Sequence, residues 1–175
     1  MDKGLCHIYF GNGKGKTTAA LGLGLRASGR GKRVLLVRFL KGKDSGELTS
    51  ILQLPNFDIL DGPEHINFTF LMDDAERQET REICSALLSS AADVAASGGY
   101  DLLILDEVLS AVSAGMLMEE PLISLVKGRP QGLEVVLSGN PAPPEIIALA
   151  DYVSEIKKIK HPFDNGEKAR IGIEY

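Results

Sequence analysis

"GNGKGKTT" at residues 11–18 decides how this chain is read. An apolar run, "LCHIYF" (5–10), precedes it, and "AALGLGLRA" (19–27) follows it. The order is strand, glycine loop, helix. Glycines accept positive φ, and their missing side chains let backbone N–H groups approach an anion. A helix N-terminus adds partial positive charge at the same place. Lys16 brings a full charge to phosphate oxygens, and the Thr17 hydroxyl is placed for Mg²⁺. The spacing departs from the usual phosphate loop, which has four residues between its first glycine and the Gly-Lys pair. Here only Asn12, Gly13 and Lys14 separate Gly11 from Gly15, and Phe10 stands where the first glycine is expected. The loop reads as a triphosphate site. Whether it presents the γ-phosphate for cleavage or serves other chemistry stays open.

Working outward, "RVLLVRFL" (33–40) is a continuous apolar strand apart from Arg38, as in a parallel sheet covered on both faces. Residues 41–72 are irregular, with a short helix in "GELTSIL" and a short strand in "FDIL". Helical spacing over 73–97 begins with "DDAERQE", which suits the positive end of a helix, and stops at Gly98-Gly99. "YDLLILDE" (100–107) and "LEVVLSG" (133–139) are further buried strands. Helices are expected over 119–127 and 144–150, and an edge strand over 152–160. Alternating strands and helices predict α/β architecture: a three-layer sandwich around a mainly parallel sheet. The whole chain, 1–175, reads as one nucleotide-binding domain.

Composition narrows the function. The formal net charge of −5 argues against binding nucleic acid through bulk positive charge. Cys6 and Cys84 form no disulfide framework or metal pattern and read as buried apolar residues. No apolar run approaches the roughly 18 residues of a membrane span, and the N-terminal apolar stretch is too short for a signal peptide. A soluble cytoplasmic protein without a membrane partner is expected.

Two further patterns bear on chemistry. "LLILDE" ends a buried strand with Asp106 and Glu107, where ligands bind in doubly wound sheets. A carboxylate there, opposite Thr17, would hold Mg²⁺, and Glu107 could equally act as a base on water. "NFTF" (67–70) sets Phe68 and Phe70 two residues apart, on one side of an extended chain. Such a pair either packs in the core or walls a planar ligand.

Taken together these residues resemble the corrinoid adenosyltransferases, which transfer the 5′-deoxyadenosyl group of ATP to a reduced corrinoid. "GNGKGKTTAALGLGLRASGRGKRV" is similar to the family's loop and first helix. "FLKG", Gly46-Glu47 and "DLLILDE" are similar to its strand ends. "RPQGLEVVLSGNPAPPEIIALADYVSEI" and "KHPFDNGEKARIGIEY" are similar to its C-terminal third. The resemblance implies a RecA-like P-loop fold that holds ATP with C5′ of the ribose, not the γ-phosphate, facing the nucleophile. It implies that Gly11, Asn12, Gly13, Lys14, Gly15, Lys16, Thr17, Thr18 and Arg26 bind ATP. By the same carry-over Lys16, Thr17 and Glu107 are catalytic, and Thr17 and Glu107 hold Mg²⁺ or Mn²⁺. Phe68 and Phe70 would lie under the corrin ring and displace the lower cobalt ligand. A flavoprotein reductant and a homodimer are further implied. The chain departs from the family at Asn140, where arginine is usual, and at Arg38, where glutamine is common. The alternatives are a P-loop ATPase or kinase using Glu107 as base, and a carrier that binds ATP and corrinoid without turnover.

Overall fold

Strand β2 (Val34–Arg38) is buried along its full length, including Arg38. So is β4 (Leu102–Asp106). Strands this apolar need cover on both faces, and the computed structural model supplies it. It describes residues 3–42, 45–60, 62, 67 and 69–174. The other strands are β1 (Cys6–Phe10), β3 (Phe57–Leu60), β5 (Glu134–Gly139) and β6 (Tyr152–Glu155). They form one six-stranded sheet in the order β3-β2-β4-β5-β1-β6, with every pairing parallel.

Alternation along the strands sorts the core into two layers. Val34, Leu36, Leu102, Ile104 and Val136 face α1 (Lys16–Ser28) and α2 (Gly46–Ile51). Leu35, Val37, Leu103, Leu105, Val135 and Leu137 face α3 (Asp74–Ala96), α4 (Val108–Ser113), α5 (Glu119–Gly128) and α6 (Pro144–Ile147). This is the expected three-layer α/β sandwich. Cys6 and Cys84 lie in the second layer, where burial pushes both thiols up to about 11.

Helix α1 sits close to the sheet because Gly24 has no side chain. A Cβ there would meet the Phe57 ring at 2.8 Å and Ile104 at 2.9 Å. Helix α3 starts with a reciprocal cap: the Glu76 N–H donates to Asp73, and the Asp73 N–H donates to Glu76, both at 2.9 Å.

Three boundaries differ from the sequence reading. Strand β6 has four residues, all exposed, and not the nine expected over 152–160. The helix expected over 144–150 is a single turn. Helix α4 carries no sequence signal, since six residues are too short to display a period. Its start is made by Glu107, whose left-handed backbone (φ 61) turns the chain sharply out of β4.

Candidate active site

All six strands point the same way, so their carboxyl ends gather on one edge of the sheet. The strand order leaves β5 between β1, which feeds the glycine loop, and β4, which ends in the carboxylates. Thr17, at the start of α1, reaches across that gap. Its hydroxyl donates to the Asp106 carboxylate at 3.1 Å. Ser138, on the intervening strand, donates to Asp106 Oδ1 at 2.5 Å and accepts from the Glu107 N–H at 2.9 Å.

The glycines of the loop serve two different ends. At Gly11 and Gly13 a Cβ would strike the Ile156 carbonyl oxygen, at 2.4 and 2.8 Å. These two let the loop lie against the chain leaving β6, and the Gly13 N–H donates to Ile156 O at 2.8 Å. Asn12 supports the same contact by accepting from the Lys158 N–H. Gly15 is different: its φ is 116, and nothing lies within 4 Å of the absent Cβ. That residue opens the start of α1 toward an anion. Lys16 bends back onto the Gly13 carbonyl at 3.0 Å.

Beside the loop lies a cavity of about 1040 Å³. Lys14, Gly15, Lys16, Thr17 and Thr18 form its cationic end. Leu21, Leu25, Ile51, Leu54 and Phe57 give it an apolar flank. Lys41 and Glu107 reach into it, and Gly172 to Glu174 border it from the C-terminal tail. An amphiphilic ligand with a phosphate chain at one end matches this lining.

The carboxylate that meets Thr17 in the protein without ligand is Asp106, while Glu107, expected to hold a metal ion with Thr17, lines the same cavity. Asp106 ends β4, and Glu107 follows it with a left-handed backbone that starts α4. The Glu107 carboxylate instead accepts from the Ser110 hydroxyl at 2.5 Å, and Ser110 Oγ accepts from the Asn140 N–H at 3.0 Å. Asn140 therefore joins the site's edge through its backbone. Arg26 stands ten residues beyond Lys16, about 15 Å along the helix axis, and is exposed away from the cavity lining. Phe70 is 79 % exposed in the turn before α3 and is not among the lining residues. Phe68 lies outside the described residues.

Sequence reasoning missed Lys41 and Ser138. Both follow the carboxyl end of a parallel strand or lie in it, and that placement is the signal that could have found them. The Lys41 ammonium donates to Thr17 Oγ1 at 2.7 Å and to Asp106 Oδ2 at 2.6 Å. A cation thus already bridges the hydroxyl and the carboxylate, so the donor pair fits a divalent metal ion. Among the described residues no group of three or more His, Cys, Asp or Glu could hold one unaided. Phosphate oxygens and waters would have to complete its shell.

Comparison with known proteins gives the family. The model of a family described as ATP:corrinoid adenosyltransferase BtuR/CobO/CobP matches residues 2–175. A corrinoid adenosyltransferase of Escherichia coli (strain K12) is 34 % identical, covering 99 % of this chain and 87 % of its own. Corrinoid adenosyltransferase CobA of Salmonella typhimurium (strain LT2) is also 34 % identical, with the same coverage. A corrinoid adenosyltransferase of Pseudomonas aeruginosa is 33 % identical over 99 % of this chain and 85 % of its own.

Proposed function

Since the chain belongs to the ATP:corrinoid adenosyltransferase family, we propose that residues 11–18 hold the triphosphate of ATP while C5′ of the ribose faces the cobalt of a reduced corrinoid. The Co(I) electron pair attacks C5′, the C5′–O5′ bond breaks, and its electrons leave with the triphosphate. Cobalt ends as Co(III) bonded to carbon.

The nucleophile carries no proton, so the protein's tasks are alignment and charge stabilisation. Gly11, Asn12, Gly13, Lys14, Gly15, Lys16, Thr17 and Thr18 shape the phosphate cradle, with Lys16 and Lys14 bringing charge to the leaving oxygens. Arg26 binds at most the outer rim of the nucleotide, given its distance from the loop. Mg²⁺, when bound, supplies further positive charge to the departing triphosphate. Thr17 and Asp106 would hold it, with Glu107 beside them on the cavity wall. Phe68 and Phe70 are assigned to the corrin face, where an apolar wall favours four-coordinate Co(II) and makes reduction easier. A flavoprotein is the reductant this scheme calls for. The protein works as a homodimer in the cytoplasm, and among the described residues no helix is long and apolar enough to cross a membrane.

The observation that carries this reading is the joining of Thr17 to Asp106 beside a cavity that is cationic at one end and apolar at the other. Both carboxylates are already engaged, Asp106 by Thr17, Ser138 and Lys41, and Glu107 by Ser110. The test is an anaerobic reaction of the protein with MgATP and Co(I) cobalamin. A light-sensitive cobalt–carbon spectrum with one triphosphate per turnover supports the transferase. Orthophosphate with an unchanged corrinoid spectrum would replace it with an ATPase, and binding of both ligands without product would leave a carrier.

A further inference from the structure

We propose that Lys41 is the resident counter-ion of the metal position: its ammonium fills the place between Thr17 and Asp106 in the nucleotide-free protein and yields it only to a divalent cation arriving with a triphosphate. This rests on residues 11–18 being the triphosphate site.

The Asp106 side chain is 1 % exposed. A carboxylate so buried needs a counter-charge. Ser138 and Thr17 are neutral donors to it, and the ammonium of Lys41 supplies the charge at 2.6 Å. The same nitrogen takes the Thr17 hydroxyl as a second acceptor at 2.7 Å. A hydroxyl oxygen and a carboxylate oxygen on one cation make the grip a divalent metal would use here. The two cations cannot share it, because like charges at that separation repel strongly when shielded from water.

The chain is shaped to deliver Lys41 to this spot. The Phe39 N–H donates to the Asp106 carbonyl at 2.9 Å, which ties the end of β2 to the end of β4. Leu40 then takes a left-handed backbone (φ 50), uncommon for a branched side chain. Beyond it Arg38 Nη2 donates to Gly42 O at 3.0 Å and closes the turn. Lys41 is 25 % exposed and borders the same cavity as Lys16, so its ammonium has somewhere to go. Displaced from Asp106, it faces the oxygens of the triphosphate. Metal entry therefore moves one positive charge onto the leaving group and couples metal binding to nucleotide binding.

The experiment is Mn²⁺ titration of the full chain, read by the loss of the free-ion electron paramagnetic resonance signal. Without nucleotide, Lys41→Gln should bind Mn²⁺ about tenfold or more tighter than the natural protein. Lys41→Arg, which keeps the charge, should still exclude it. Adding Asp106→Asn to Lys41→Gln should abolish the gain. Equal Mn²⁺ uptake by the natural protein and Lys41→Gln overturns the proposal, and so does a gain that survives Asp106→Asn. Should Lys41→Gln not fold, Lys41→Met takes its place with the same two outcomes, and Mn²⁺ bound to the natural protein as tightly without ATP as with it overturns the coupling. Mn²⁺ uptake with ATP but no cobalt–carbon product would remove the transferase reading and leave the role of Lys41 intact.

Discussion

The Thr17 hydroxyl and the Asp106 carboxylate meet at 3.1 Å although 89 residues separate them in the chain. The contact spans the width of β5 and is completed by Ser138 from that strand. Asp106→Asn keeps the shape and removes the charge. We expect Mn²⁺·ATP to bind about 10- to 100-fold more weakly, the range seen when a group that orients a metal site is lost. Water-proton relaxation, which separates protein-bound Mn²⁺·ATP from the complex free in solution, measures it. Unchanged affinity would move the metal away from Asp106.

Under the proposed function Lys16→Ala removes charge from the leaving triphosphate, and in the free protein it gives up the hydrogen bond to the Gly13 carbonyl. Turnover should fall by roughly 10²- to 10³-fold, the scale of losing one electrostatic stabiliser, with the circular dichroism spectrum unchanged. Near-normal turnover would misplace the triphosphate.

Two glycines on α1 should respond in opposite directions. Gly24→Ala puts a methyl against the Phe57 ring and Ile104 at under 3 Å, and overpacking of this kind costs about 1–3 kcal/mol. Gly22→Ala meets nothing within 4 Å and should stabilise the helix by about 0.5–1 kcal/mol. Thermal unfolding of the two variants separates them.

Phe70→Ala should leave stability within about 0.5 kcal/mol, since the ring is 79 % exposed. Under the proposed function its effect would fall on the corrinoid. Adenosylation starting from Co(II) with a reductant should slow far more than adenosylation of Co(I) made chemically. Equal losses in the two assays would mean that the ring acts without influencing cobalt reduction.

The tail borders the cavity through Glu174, which accepts from Lys14 at 3.0 Å. Hydrogen bonds from the Arg170 side chain, then from its backbone N–H, then from Lys14, hold the Glu174 carboxyl down at about 2 against an ordinary 4.5. A depressed carboxylate contributes fully above its unfolded value. The contribution fades as pH falls from about 4.5 toward 2. Side-chain nuclear magnetic resonance of Glu174 should therefore show no titration at pH 4. If Lys14 binds phosphate as proposed, the carboxylate competes for it, and Glu174→Gln should tighten ATP by up to about fivefold, the scale of an exposed pair. Calorimetry checks it.

Much of this protein is determined locally, and its sequence reports it. The strand–loop–helix at 5–28 needs only neighbouring residues: an apolar run, glycines and a helix-forming stretch. The buried strands announce themselves because both faces are covered, and the first turn of α3 announces its cap. The glycine loop between β1 and α1, and Asp106 at a strand end, are legible for the same reason. What the tertiary structure alone decided is which carboxylate meets Thr17 and which cation neutralises it. Asp106 and Glu107 are adjacent and chemically alike, but one ends β4 and the other starts α4 with a left-handed backbone. Lys41 enters the site because β2 lies next to β4, a neighbour relation set by strand order across the sheet. No local pattern encodes that order, because it depends on the packing of helices on both faces at once.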